Sequence, residues 1–170
     1  MTAAVRGLVV RPDEGVIRMY KWGDIARHGQ SWFNRSAVPF RGGISVLELR
    51  LDGFASLHSP NHWQADGSKA TAVALSHALL TNGTSLHINM VAANGAYLQV
   101  GVTGTGGEPL SGLSAGECVQ LGGNLLDQEV IWRTNLSDGR RMGALAKPFR
   151  LQLVMHGEVD LFSFRFTHTK

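Results

Sequence analysis

Gly112-Leu113-Ser114-Ala115-Gly116 fits the G-x-S-x-G pattern, in which a hydrolase serine stands on a strained turn between a strand and a helix. The loop-forming run Gly104-Thr105-Gly106-Gly107-Glu108-Pro109 lies before it and Glu117-Cys118-Val119 follows without helical period, so that context is missing. His58 and His62 are four residues apart, a spacing that puts two imidazoles on one helical face for zinc. Pro60 between them removes the helix, and a loop would have to bring both to a metal with Asp66 as third ligand. Asp24, Asp52, Asp66 and Asp160 are the carboxylates available for glycosidic cleavage, which needs two acids held at a set separation across a cleft. No spacing pairs them. Asp52 before Gly53 reads as a turn former, and Asp160 as a strand-end hydrogen-bond acceptor.

Aromatic residues in loops are the better lead, because a flat ring stacks on the apolar face of a sugar while amides and imidazoles bind its hydroxyls. Trp63 with Asn61, His62 and Gln64 forms one such group, and Trp22, His28, Trp32 and Asn34 form another. The competing reading of Trp22 and Trp32, burial that anchors the N-terminal segment, weighs more. Trp132 is expected in the core. The expected carbohydrate-binding residues are therefore Trp63, Asn61, His62, Gln64, Trp32 and His28, with no catalytic group, metal or cofactor.

These residues must be held by strands. Leu8 to Val10 and Val16 to Trp22 flank Arg11-Pro12-Asp13-Glu14-Gly15 and predict a hairpin. An irregular segment, Gly23 to Gly43, follows. From Ile44 the alternation is regular: Leu47, Leu49 and Leu51 oppose Val46, Glu48 and Arg50. Val73, Leu75, His77 and Leu79 then oppose a face of small residues, Ala72, Ala74, Ser76 and Ala78. Asn82-Gly83 predicts a hairpin into Leu86, Ile88 and Met90, and Ala93-Asn94-Gly95 a second turn into Leu98, Val100 and Val102. Val130 with Trp132, Leu151 to Met155, and Phe162, Phe164 and Phe166 complete about eight strands. The fold class is all-β, an antiparallel sandwich of jelly-roll kind with an N-terminal hairpin extension. The expected division is 1–43 for the extension and 44–170 for the sandwich.

The chain has 170 residues, enough for one ordinary domain with a short appendage. Its sixteen Lys and Arg against thirteen Asp and Glu are scattered, with one basic doublet at Arg140-Arg141, which argues against a nucleic-acid partner. Cys118 is the single cysteine, so no internal disulfide forms, and it reads as a small buried residue. No apolar stretch approaches the ~20 residues of a membrane helix, and the N-terminus lacks a secretory pattern. The expectation is a soluble chain with no membrane partner, extracellular if it is a fragment of a secreted protein. Asn34-Arg35-Ser36, Asn82-Gly83-Thr84 and Asn135-Leu136-Ser137 fit the N-glycosylation pattern, although turn chemistry explains such triplets more often.

The phrases Leu47-Glu48-Leu49-Arg50-Leu51-Asp52-Gly53-Phe54-Ala55-Ser56-Leu57, Leu79-Leu80-Thr81 with Leu86-His87-Ile88-Asn89, and Pro148-Phe149-Arg150-Leu151 through Asp160-Leu161-Phe162-Ser163-Phe164-Arg165-Phe166 stand in a characteristic order. In that order the chain resembles the C-terminal β-sandwich of glycoside-hydrolase-like proteins whose catalytic part is a five-bladed β-propeller, as in families 32 and 43. Val9-Val10-Arg11, Tyr20 and His28-Gly29 are similar, more loosely, to the last propeller strands. The resemblance implies a non-catalytic module, structural or carbohydrate-binding, beside a catalytic propeller whose carboxylates have no counterpart here. The alternatives are a part of a glycoside hydrolase whose propeller is absent from this chain, and a protein-interaction module.

Overall fold

The computed structural model describes residues 2–23 (side chains of 7–21), 43–59, 70–133 and 139–168. The chain divides into two compact units, Met1–Phe54 and Ala55–Lys170. Strands in both are antiparallel, and among the described residues the one helical element is a single 3-10 turn, Ala115–Glu117.

The first unit is a three-stranded sheet of β1 (Thr2–Arg11), β2 (Val16–Gly23) and β3 (Gly43–Arg50), in that order. The hairpin between β1 and β2 follows the predicted turn, with the Glu14 and Gly15 amides donating to the carbonyls of Arg11 and Pro12. Gly7, at φ +108°, lies in a register shift between Ala4 and Leu8. Cross-strand pairing sorts the side chains by type. Leu8, Met19 and Leu47 form one row and Val10, Ile17 and Leu49 the next on the same face. The opposite face carries Arg18, whose Nε donates to Glu48 Oε1 at 2.7 Å. The expected boundary at Ile44 thus falls inside this sheet. The strand read as the first of the sandwich is the third strand here, because its alternation matches that of β2 residue by residue.

The second unit is a sandwich. One sheet has the order β4 (Leu57–Ser59), β10 (Val159–Thr167), β6 (Ser85–Ala92), β8 (Asn124–Glu129), and the other β5 (Thr71–Leu75), β9 (Phe149–His156), β7 (Tyr97–Gly104). Every successive strand from β4 to β10 therefore changes sheet, as in a jelly roll. Turns expected to close hairpins instead carry the chain across the core. Asn82-Gly83 lies between β5 and β6, Asn94-Gly95 between β6 and β7, and Gly157-Glu158 between β9 and β10, each pair divided between sheets.

Alternation supplies the inner faces: Leu86, Ile88 and Met90 from β6; Leu98, Val100 and Val102 from β7; Phe149, Leu151, Leu153 and Met155 from β9. In β10 the inward residues are Val159 and Leu161, and then Phe164 and Phe166 pack on the core. That change of parity needs one extra residue, and the β6 register shifts between Leu161 and Ser163 to provide it. After β8 the chain pairs with the segment around Cys118 that lines the edge of β7. Trp132 is wholly buried there, bridged to Cys118 and Arg140, and its Nε1 donates to the Val100 carbonyl at 2.8 Å. Gly101 permits the close approach of the 3-10 turn to β7, since a Cβ on it would stand 2.8 Å from the Ala115 nitrogen.

Candidate functional site

With apolar alternate residues turned into the core, the outward residues of the four-stranded sheet form a polar surface. Register places His58, Asp160, Val91 and Asn124 in one row across β4, β10, β6 and β8, and Arg165, His87 and Glu129 in another. Ser163 and Asn89 pair between them.

The first row centres on Asp160. Ser56 Oγ donates to its Oδ1 at 2.8 Å, and His58 Nδ1 stands 3.0 Å from the same oxygen. An ionised carboxylate only accepts, so Nδ1 carries the hydrogen and neutral His58 keeps an acceptor at Nε2. Both bonds end on Oδ1, and Oδ2 takes no donor among the described residues. The second row centres on Asp127, which receives Arg165 in a bidentate pair, Nε to Oδ1 at 2.9 Å. His87 Nδ1 lies 3.1 Å from Asp127 Oδ1, within ion-pair distance but without hydrogen-bond alignment. The Arg165 hydrogen bond holds the Asp127 carboxyl below its ordinary range, and its charge and that of His87 act in the same direction. Arg141 Nε pairs with Glu129 Oε1 at 2.8 Å beside them.

A glycosidase acid needs a raised carboxyl, the opposite of Asp127. Asp127 and Asp160 also stand on opposite sides of β6, about 10 Å apart across two strand spacings before any offset along the strands is added.

The outer face of the three-stranded sheet differs. Thr71, His156 and Tyr97 share a row, with the rings of Tyr97 and His156 stacked at 4.4 Å and Thr71 Oγ1 3.2 Å from His156 Nδ1. Burial lowers the His156 pKa, favouring the neutral ring. Val73 and Leu75 are exposed on the same face.

The residues expected to bind sugar, His28, Trp32, Asn61, His62, Trp63 and Gln64, lie outside the described residues, as do Asp24, Asn34 and Asp66. His58, considered as a zinc ligand, is engaged with Asp160. Asp160 is the strand acceptor anticipated, and Asp52 is the turn former, at φ +58°. Ser114 caps the 3-10 turn: its amide and hydroxyl both donate to Glu117 Oε2, at 2.9 and 2.8 Å, and these bonds lower the Glu117 pKa. Its backbone is unstrained at φ −70° and ψ 159°, which removes the elbow reading.

The rows themselves escaped the sequence reading. Alternation pointed His87, Asn89 and Arg165 outward, but their partnership with Asp127 depends on β10 and β8 flanking β6, which no local pattern encodes. Among the described residues no helix is long and apolar enough to cross a membrane, and no three His, Cys, Asp or Glu converge as metal ligands. Compared with known proteins, the chain matches no family model, no curated protein and no solved structure.

Proposed function

We propose that this chain is a non-catalytic β-sandwich module that binds carbohydrate, in a role similar to the accessory sandwich of propeller-type glycoside hydrolases. The observation that carries the reading is Asp160, held by Ser56 and His58 through one oxygen with the other available to a ligand. A carboxylate oriented in this way accepts hydrogen bonds from sugar hydroxyls without first being ordered, so little rotamer entropy is lost on binding. His58 Nε2 adds an acceptor beside it, and Ser163 extends the polar surface along the strand. Trp63, Asn61, His62 and Gln64 follow Ser59 in sequence and are proposed to supply the stacking ring and its polar neighbours.

A glycan array probed with the parent chain, Asp160→Asn and Trp63→Ala tests this. The expected result is a glycan retained by the parent and lost in both variants, while their urea unfolding midpoints stay near that of the parent. Retention of no glycan by the parent removes the carbohydrate reading and leaves a structural role.

A second reading, part of a glycoside hydrolase whose propeller is absent from this chain, is favoured by the apolar face of the β1-β2-β3 sheet of the first unit, where Leu8, Val10 and Leu47 are about half exposed. A propeller coding sequence upstream in the same frame supports it, and an in-frame stop codon removes it.

A further inference from the structure

We propose that Asn82 is an N-glycan acceptor and that the first sugars attached to it lie over the apolar cleft beside it. The triplet Asn82-Gly83-Thr84 has the acceptor pattern, which hairpin chemistry would otherwise explain. The structure takes that explanation away. The strands on either side, β5 and β6, belong to different sheets, so Asn82-Gly83 closes no hairpin. Asn82 has no left-handed backbone conformation to relieve, is exposed, and makes no hydrogen bond among the described residues.

Gly83 has its own reason to be there. A Cβ on it would stand 2.7 Å from Phe166 Cβ, and its amide donates to Thr81 Oγ1 at 3.0 Å. Packing thus requires the glycine, while nothing in the fold requires the asparagine.

Asn82 also lines a shallow cleft of about 610 Å³ whose other walls are Leu80, Thr81, Ala144, Leu145 and Ala146. Leu80 is 71% exposed, a large apolar side chain left in water beside a polar acceptor. An N-acetylated pyranose has an apolar ring face and a methyl group, and so can cover such a wall while keeping its hydroxyls in water. In the transfer, the Asn82 amide nitrogen bonds to the anomeric carbon of a lipid-diphosphate-linked oligosaccharide. The anomeric C–O bond breaks, the lipid diphosphate leaves with the electron pair, and the amide loses one proton. The Thr84 amide donates to the Thr167 carbonyl at 2.8 Å and its carbonyl accepts from Gly143, so transfer must precede the closing of this end of the sandwich.

The test expresses the full chain behind a cleavable secretion leader in eukaryotic cells and maps peptides by mass spectrometry before and after amidase removal of N-glycans in ¹⁸O water. The expected result is a glycan mass on the Asn82 peptide that the amidase removes, leaving labelled aspartate, and that is lost in Asn82→Gln and in Thr84→Ala. An Asn82 peptide wholly unmodified in folded, secreted protein overturns the acceptor site. Hydroxyl-radical footprinting then compares glycosylated with unglycosylated chain: loss of Leu80 oxidation in the glycosylated form supports coverage of the cleft, and equal oxidation overturns it.

Discussion

Replacing Trp132 by Phe probes how the segment after β8 is bound to the sandwich. The indole is wholly buried, and its Nε1 is 2.8 Å from the Val100 carbonyl. Phe removes that donor and leaves a buried acceptor without this partner, which costs about 1–3 kcal/mol. It also leaves roughly 40 Å³ of void, worth about 1 kcal/mol at ~24 cal/mol per Å³. The expected loss is about 2–4 kcal/mol, and with a urea m-value of ~2 kcal/mol/M the midpoint falls by about 1–2 M. Far-UV circular dichroism is the proper readout, because the substitution removes a fluorophore. A Val100→Ala variant, which keeps the carbonyl, should still lose stability when combined with Trp132→Phe, whereas Trp132→Phe unfolding at the parent midpoint would refute the buried hydrogen bond and the packing together.

Two further outcomes follow from the titrating groups. Asp127 is held below its ordinary range by Arg165, so its contribution is present above the unfolded-state pKa and lost as pH falls through the lower folded value. Asp127→Asn should therefore be less stable than the parent near neutrality, by at most about 1 kcal/mol for so exposed a pair, with the gap closing in acid; urea titrations showing the same gap at about pH 2 would contradict this. Burial pushes the Cys118 thiol up to about 11, so iodoacetamide should leave the folded chain unlabelled at neutral pH and modify it in urea, and rapid stoichiometric labelling of folded protein would show the burial to be wrong.

Much of the architecture was legible because strand alternation is a local property. Leu86, Ile88 and Met90, or Leu151, Leu153 and Met155, declare an inner face from their own spacing, and the structure buries all six. Turn residues were also read correctly as places where the chain reverses, as at Arg11 to Gly15. What they do not state is where the next strand goes. Asn82-Gly83 has the composition of a two-residue hairpin, yet β6 takes its hydrogen bonds from β10 and β8, far away in sequence. The bulge in β10 was hidden for a similar reason, since the phenylalanine alternation reads smoothly through Phe162 while the register with β6 slips beside it.

The candidate site shows the same division. Local spacing carries the all-β class, the faces of the strands, the turn role of Asp52 and the acceptor position of Asp160, because each is read from neighbours within a few residues. Long-range packing is what brings Ser56 and His58 to Asp160, Arg165 and His87 to Asp127, and β3 to the edge of the N-terminal sheet. Those partnerships join residues separated by 104, 102 and 38 positions for Ser56–Asp160, His58–Asp160 and Arg165–Asp127. Strand order sets them, and strand order is chosen by burial of the whole core rather than by any one segment.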